Sequence, residues 1–431
     1  MKKLYFVESI KANVSPEGEI TGYNILYEDV EITEKLESPR RDNINEPYEI
    51  QERHSPFINN PYPTVPIPKK AKRPLHEGQY VYIDGEHLIS ATSNSIAKRR
   101  RADNRTYRER LLSERGIDEL ESYYSDETRV TSYHVNVGHG NCTIILIQDH
   151  NFYQIWMVDC GAIDQMNHIN YYSNIDNCFA DIAHILNKDK SSLFISKFLL
   201  THWHYDHISG IPYLIRDGYI KQTTQFYMNL YYEHSSQCMN EVLKKLDNLH
   251  ISCYEPTSFL NHKHPRKTIA ILHPNCRIRR KYSHKDPNSR FVSNINNSSV
   301  VYSISVVGRT MVFPGDIEKE GLDYMTMTRT CQNQPLCYTD YYCVSHHGSL
   351  NGHIDIDCMG NSHFNNIGRC LCAHSLKKAI IMGRDKAFSG IYSSAVQNYW
   401  KQILKYSEVD ASGKPCKAYV LEWNSGADSY L

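Results

Sequence analysis

Three histidines and one aspartate lie within the segment 201–210, which reads THWHYDHISG and follows a short apolar run. In an extended chain, His202 and His204 point to the same face, and a helical turn after them can present Asp206 and His207 to a neighbouring position. One ion would then have two imidazole ligands, and a second ion beside it would have a carboxylate and an imidazole. These ligands suit zinc or a similar divalent metal. The segment therefore predicts a metal site that holds two ions.

Two later segments have the composition of strands that end in ligand-type residues. One reads VFPGD and ends at Asp316, and the other reads YCVSHHGS and contains His346 and His347. Two cations about 4 Å apart repel each other and need a shared anion, so we predict that Asp316 bridges both ions. We predict His346 as a metal ligand and His347 as a supporting residue or a substrate contact, although the reverse order is also open.

Two further motifs supply residues that support a metal site without binding the metal. Asp159 follows the apolar run IWMV, and a carboxylate in this position can accept hydrogen bonds from the outer nitrogens of ligand imidazoles. Upstream, the segment NVGHGNC contains Gly138 and Gly140, which allow a tight turn to approach the site without Cβ clashes. We therefore predict that Asp159 supports the ligands.

Taken in order, the motifs NVGHGNC, VDCG, HWHYDH, NNSSVV, PGD and HHGS resemble those of the metallo-β-lactamase-fold hydrolases, a superfamily of binuclear metalloenzymes. The HHGS motif resembles the branch that contains the hydrolase domain of the DNA-internalisation competence protein. The resemblance covers residues 129–431 and implies an α/β fold, a four-layer αββα sandwich. It implies two divalent ions, zinc first and manganese as the alternative. The predicted metal ligands are His202, His204, Asp206, His207, Asp316 and His346.

One segment departs from the superfamily pattern. Many members carry a further histidine between HxHxDH and the bridging aspartate, where this chain reads NNSS from Asn296 onward, as the competence-type branch does. Either the first metal has fewer protein ligands, or His346 or His347 makes up the deficit. We assign Asn296 to the catalytic residues. The complete predicted catalytic set is Asp206, His347, Asp159 and Asn296.

The elements around these motifs alternate in a way that fits two sheets with helices outside. We predict strands at 143–147, 154–158, 197–200, 226–230, 268–272, 300–307, 310–313, 379–382 and 418–423. We predict helices at 175–186, 238–249 and 394–406. This order agrees with the sandwich that the resemblance implies.

Residues 1–128 have no counterpart in the hydrolase pattern and form a predicted N-terminal accessory region. It contains short alternating segments up to residue 46, a proline-rich connector over 47–74, a hairpin over 79–89 and a basic helical stretch from residue 95. Basic runs such as Lys98 to Arg101 can neutralise phosphates or form a protein-binding surface. The region is therefore a candidate site for a nucleic acid or a protein partner.

Charge and hydropathy set limits on the function. The chain of 431 residues has 48 Lys and Arg against 48 Asp and Glu, so no global field attracts a polyanion. The N-terminus lacks the apolar core of a secretory signal, and no run approaches the roughly 18 apolar residues of a membrane span. We expect a cytoplasmic protein without a membrane segment.

Three functional hypotheses follow. The first is a phosphodiesterase or nuclease, because a binuclear site supplies hydroxide near neutral pH and can neutralise both the attacked and the departing oxygens. The second is a hydrolase of small esters, lactones or amides, which the same chemistry allows. The third is a hydrolase subunit that acts only inside a larger complex, which the N-terminal region and the 32 tyrosines favour.

Overall fold

In the computed structural model, the chain is mixed α/β with two mixed sheets in the part that contains the predicted metal site. The described residues are 3–14, 20–29, 48–49, 80–84, 87–90, 95–111, 124–150, 152–164, 169–229, 236–255, 268–273, 294–318, 321–322, 339–349, 352–356, 362–364, 376–383, 396, 398, 400, 418–424 and 428–430.

The elements alternate along the chain in the order that the sequence predicts. The strands are β1 (Lys3–Val14), β2 (Ile20–Asp29), β3 (Tyr48–Glu49), β4 (Tyr80–Asp84), β5 (His87–Ser90), β6 (Arg129–Val135), β7 (Cys142–Asp149), β8 (Phe152–Cys160), β9 (Ile163–Asp164), β10 (Ile169–Asn170), β11 (Lys197–Leu199), β12 (Gln225–Tyr227), β13 (Cys253–Tyr254), β14 (Ile269–His273), β15 (Val301–Val306), β16 (Arg309–Phe313), β17 (Tyr341–Cys343), β18 (Ile354–Ile356), β19 (Ser362–Phe364), β20 (Lys378–Ile380), β21 (Ala418–Trp423) and β22 (Asp428–Tyr430). The helices are α1 (Ser95–Leu111), α2 (Tyr172–Leu186), α3 (Tyr205–Ile208), α4 (Ile211–Arg216), α5 (Gln237–Asn248) and α6 (Asn294–Asn297).

Two sheets carry the predicted site. The larger has the strand order β13-β12-β11-β8-β7-β6-β21-β22, and the smaller has the order β14-β15-β16-β17-β20. Both are mixed, since β8, β11, β12 and β13 run parallel in the first and β16, β17 and β20 run parallel in the second. Parallel neighbours end at the same edge of a sheet, so the segments after β8 and β11 lie near each other in the first sheet, and those after β16 and β17 do so in the second.

Alternating side chains of the strands fill two separate apolar cores. In β7 and β8, Ile144 and Met157 pack in a core with α2, α4 and α5, whereas Ile145 and Trp156 pack between the two sheets. The period of two in an extended chain produces this division, and because both faces are buried the strands are continuously apolar. On the far face of the smaller sheet, a third cluster contains Trp400.

The observed elements lie close to their predicted positions, with shifts at the ends. Helix α2 begins three residues before the predicted start, and the side-chain oxygen of Asn170 accepts a hydrogen bond from the N–H of its first residue, Tyr172, at 2.8 Å. Most of the predicted helix 394–406 lies outside the described residues, although Val396 and Trp400 have helical backbone. Within the described part of the chain, no helix is both long and apolar enough to cross a bilayer.

The N-terminal region forms a separate sheet and one helix that contacts the rest of the chain. Strands β1 to β5 form a sheet of order β2-β1-β4-β5-β3, in which β4 and β5 make the hairpin predicted near residue 84. Helix α1 packs on α5, where Arg110 lies 3.1 Å from Asp247 and Asn240 donates to Asn104 at 2.8 Å. Leu111, at the end of α1, belongs to the core beside α5. The boundary at residue 128 stays a prediction.

Candidate metal centre

All predicted ligands except His346 lie in two groups of nitrogen and oxygen atoms, within each of which all ligand atoms are no more than 4.8 Å apart. The first group is His202, His204 and Asp316, and the second is Asp206, His207, Asp316 and His347. Asp316 belongs to both groups, which is the position of a bridging carboxylate. The division of the HWHYDH segment between two groups also agrees with the alternation of its side chains.

Several imidazoles present Nε2 to the carboxylate of Asp316. Nε2 of His207 lies 3.3 Å from Oδ1, and Nε2 of His347 lies 3.4 Å from Oδ2. Nε2 of His346 and Nε2 of His202 lie 3.7 and 3.9 Å from Oδ2. His347, predicted as a supporting residue, thus belongs to the second group, whereas His346, predicted as a ligand, contacts Asp316 from outside both groups.

A carboxylate fixes the orientation of His207. Nδ1 of His207 donates to Oδ2 of Asp159 at 2.8 Å, and because a carboxylate accepts, Nδ1 carries the proton and Nε2 faces Asp316. Asp159 also accepts hydrogen bonds from the backbone N–H and the hydroxyl of Thr201, each at 2.7 Å. Asp159 is therefore placed as an outer support of the ligands and not among them.

The two histidines of the HHGS motif share an unusual backbone conformation. His346 and His347 both have left-handed backbone, with φ of 50° and 51°, which is uncommon for residues other than glycine and often marks functional sites. Nδ1 of His347 donates to the carbonyl oxygen of Met382 at 2.7 Å, so its Nε2 faces Asp206 at 3.1 Å. Both rings approach Oδ2 of Asp316, and Nε2 of His347 also contacts Asp206.

Gly315 brings the strand end that carries Asp316 close to the HWHYDH segment. Its φ is +59°, and a Cβ at this position would lie 2.7 Å from the Cβ of Thr201. Any other residue would be strained and would push the two segments apart. Gly315 therefore allows Asp316 to reach both groups of ligands.

Asn296 contacts the site through a carboxylate that the sequence analysis did not select. Its side-chain amide donates to Oε1 of Glu318 at 2.8 Å, and the same oxygen lies 3.7 Å from Nδ1 of His346. Asn296 is therefore linked to His346 through Glu318. It anchors Glu318 on the outer side of His346.

Burial and charge act in opposite directions on the ionisable groups of the site. Burial alone raises the pKa of Asp316, but His347 and His207 hold that pKa well below its usual range. Burial likewise raises the pKa of Asp206, and the same two histidines hold it well below its usual range. Burial lowers the pKa of His347, but the carboxylates of Asp316 and Asp206 raise it to about 9. The buried carboxylates therefore need positive charge beside them, which ring protons or bound cations supply.

The residues present fit divalent metal ions. Nε2 of His207 and both carboxylate oxygens of Asp316 are buried and complete no hydrogen bond with the described residues. Buried polar atoms without such partners are costly unless an ion or another group satisfies them. Imidazole nitrogen and carboxylate oxygen are ligands of zinc, and manganese also accepts them. The donor set therefore agrees with two metal ions and leaves their identity open.

Three residues near the site had not been assigned a role from the sequence. Thr201 holds Asp159, Glu318 faces His346, and His139 lies 3.5 Å from Asp206. The signal for the first two is their position, since Thr201 directly precedes the histidine motif and Glu318 follows Asp316 by two residues. His139 lies inside a motif whose glycines alone had been interpreted.

Comparisons with known proteins find similarity to solved structures. No family model matches the sequence, and no curated protein matches it. A solved structure that is similar is the metallo-beta-lactamase fold protein YhfI from Bacillus subtilis, with 14% identity, a TM-score of 0.35, and coverage of 68% of this chain and 100% of that chain. The geometry of the site therefore carries the functional argument by itself.

Proposed function

We propose that the chain is a binuclear metal-dependent hydrolase of the metallo-β-lactamase fold, arranged as a four-layer αββα sandwich. The observation that carries the proposal is the pair of ligand groups that share Asp316. Two divalent cations held there would supply water of lowered pKa and positive charge for the attacked and departing oxygens. Zinc is the metal that we propose, with manganese as the alternative.

The residues of this chain contribute position and charge. His202 and His204 would hold one ion, and Asp206, His207 and His347 would hold the other. Asp159 and the carbonyl of Met382 fix the rings of His207 and His347 from outside. Rings that are held in this way lose little freedom when they bind the metal, so the site is preorganised.

For the substrate, we propose a phosphodiester in a nucleic acid or a nucleotide. The motifs up to HHGS resemble the competence-type branch, and the described part of α1 carries the exposed residues Arg105 and Arg110 next to the basic run Lys98 to Arg101. Arginine and lysine neutralise phosphates, so this region would bind the polyanion. We place the reaction in the cytoplasm.

The experiment that tests this proposal is an activity panel with the metal-reconstituted full chain. It compares bis(p-nitrophenyl) phosphate, single-stranded DNA, duplex DNA, RNA and a cyclic dinucleotide with a lactone and a p-nitrophenyl ester. We expect turnover of phosphodiesters and its loss in Asp316→Asn, whereas Asp126→Asn, a change at an exposed position, retains it. Turnover of the lactone or ester alone would replace the proposal with hydrolysis of small carbon esters.

The third hypothesis predicts a different result from the same panel. If the protein acts only within a complex, the full chain binds metal but hydrolyses none of these substrates until a partner is added. A pull-down from native cells with the full chain, compared with a chain that lacks residues 1–94, would then identify the partner through the N-terminal sheet. Activity of the purified chain at rates of about 1 s⁻¹ or more, common for enzymes, would argue against this hypothesis.

A further inference from the structure

The NNSS motif, residues 296–299, is buried beside the metal centre but supplies no member of either ligand group within the described part of the chain. Its first two residues end α6, and it leads into β15. Buried polar groups are costly without partners, so the hydrogen bonds that this motif makes indicate which segments it holds in place. These bonds reach both of the segments that carry the members of the first ligand group.

Asn297 contacts the chain directly after Asp316. Its Oδ1 accepts hydrogen bonds from the N–H of Glu318 at 3.2 Å and from the N–H of Gly321 at 2.8 Å. The N–H of Leu322 donates to the carbonyl of Glu318 at 3.0 Å, so a helical turn begins here, and its first N–H groups need an outside acceptor. Asparagine is a preferred acceptor at the start of a helix, and here it comes from a different segment. Asn297 thus fixes the backbone two residues after Asp316.

Asn297 is itself held by the smaller sheet. Its carbonyl oxygen accepts a hydrogen bond from Nε2 of His273 in β14 at 2.9 Å, and the residue is fully buried. A Cβ at Gly321 would lie 2.9 Å from Oδ1 of Asn297 and 2.6 Å from the side chain of Ile317, so the turn packs closely against both. An acceptor fixed in this way can set the position of the carboxylate that follows β16.

The other end of the motif contacts the histidine segment. The carbonyl of Ser298 accepts a hydrogen bond from the side-chain amide of Asn229 at 3.1 Å, and the carbonyl of Asn229 accepts one from the indole N–H of Trp203 at 3.0 Å. Trp203 lies between the two histidines of the first ligand group. Val300, directly after the motif, donates its N–H to the carbonyl of Thr201 at 2.8 Å. One short segment therefore joins the histidine segment to the segment of Asp316.

We propose that the NNSS motif positions the metal ligands without binding metal, with Asn297 holding Asp316 and Ser298 holding the histidine segment through Asn229. This inference rests on the proposed function, because it assigns the motif a role in that same metal centre. Ligands of a metal site must be held within about 0.5 Å of their working geometry. Asp316 belongs to both ligand groups, so a shift of its carboxylate changes the surroundings of both ions.

The test compares Asn297→Ala, Asn297→Asp and Asn229→Ala with Asn177→Ala, a change at an exposed asparagine of α2. Competition with a chromophoric chelator measures the zinc affinity of each equivalent. In Asn297→Ala we expect both equivalents to bind about 10-fold more weakly, the lower end of the effect of a lost outer partner. Asn297→Asp keeps an acceptor oxygen for the two N–H groups and should recover most of this affinity. Asn229→Ala should weaken one equivalent and leave the other unchanged.

The visible spectrum of the cobalt-loaded proteins supplies a second measurement, because it reports the geometry of the ligands around each ion. The spectrum should change in Asn297→Ala and return to that of the wild type in Asn297→Asp. Circular dichroism shows whether each variant is folded. If Asn297→Ala does not fold, Asn297→Ser takes its place, since serine leaves a shorter acceptor and should also weaken both equivalents.

Three results would overturn the inference. The first is wild-type zinc affinity in the folded Asn297 variant, and the second is an equal loss in Asn297→Asp, which would mean that only packing matters. The third is unchanged affinity in Asn229→Ala, which would refute the link to the histidine segment. A wild-type protein that binds no zinc would instead refute the proposed function, whereas two tightly bound equivalents in the wild type and in every variant would refute the positioning role alone.

Discussion

Oδ2 of Asp159 accepts a 2.8 Å hydrogen bond from Nδ1 of His207, and this contact directs Nε2 of the ring to Asp316. Asp159 lies near the end of β8 in left-handed backbone, with φ of 54°. His207 lies in α3, the helix that follows β11 in the chain. The parallel pairing of β8 with β11 brings the two together. The order of strands in the sheet thus sets which nitrogen of His207 faces Asp316.

Replacing Asp159 with asparagine tests this contact. The amide removes a charged acceptor from His207 and Thr201, and loss of such an outer partner typically lowers metal affinity by about 10- to 100-fold. Competition with a chromophoric chelator measures the affinity for each zinc equivalent. Asp126→Asn, at an exposed position, is the matched control. Equal zinc affinity in Asp159→Asn and the wild type would show that the contact does not support the ligand.

Variants of Glu318 test whether His346 binds metal. If His346 is a ligand, Glu318→Ala removes the carboxylate next to its Nδ1 and weakens one zinc equivalent by about 10-fold, whereas Glu318→Gln retains an acceptor oxygen and weakens it less. His347→Ala removes a member of the second group and should release zinc more completely. Glu241→Ala, an exposed change on α5, is the control. If only His347→Ala affects zinc binding, His346 is not a ligand.

A buried histidine away from the metal site makes stability depend on pH. Burial lowers the pKa of His134 from 6.5 to about 3, and its ring nitrogens lie 2.9 Å from the hydroxyl of Ser132 and 3.1 Å from that of Thr143. Below pH 6.5 the unfolded chain takes up a proton at this residue and the folded chain does not. The stabilisation from this group is therefore complete above pH 6.5 and declines as the pH falls toward 3.

Denaturant unfolding of the wild type and of His134→Gln, both with chelator, measures this effect. Between pH 6.5 and 4.5, His134 should reduce the free energy of unfolding of the wild type by about 2 kcal/mol more than that of the variant. The difference between the two proteins cancels the contribution of the other ionisable groups. Parallel pH profiles of the two proteins would mean that His134 is protonated to the same extent in both states.

Substitutions in the basic run of α1 distinguish nucleic-acid binding from protein binding by the N-terminal region. Replacing Lys98, Arg99, Arg100 and Arg101 with alanine should weaken binding to single-stranded DNA and reduce its dependence on salt, because fewer counterions are released. Hydrolysis of bis(p-nitrophenyl) phosphate should not change. If the run docks a protein instead, affinity for DNA is retained and complex formation is lost. Lower turnover of the small substrate would contradict both roles and make α1 part of the catalytic unit.

The residues of the two ligand groups other than His347 could be predicted because they follow apolar strands in short motifs. His202, His204, Asp206 and His207 share one segment, and Asp316 follows a strand and a glycine. Side-chain alternation and the repulsion between two cations were then sufficient to predict that they face a common point. The strands of both sheets could be placed for a similar reason, since their apolar runs are bounded by turns.

The contacts of the His346 and His347 rings could not be predicted, because they depend on two consecutive left-handed residues. Glu318 and His139 were missed for a related reason. Each reaches the site through a contact that depends on the fold, with Asn296 in one case and with Asp206 in the other. Spacing within a motif contains no information about such contacts between distant segments.

The metal content of the reconstituted protein tests the central claim most directly. After removal of metal and dialysis against zinc, elemental analysis should find two equivalents per chain in the wild type and one in the double variant Asp206→Ala with His207→Ala. Asp316→Ala should bind both equivalents weakly, because Asp316 belongs to both groups. A wild-type protein that binds no zinc or manganese, or a double variant that keeps two equivalents, would contradict the two-metal account.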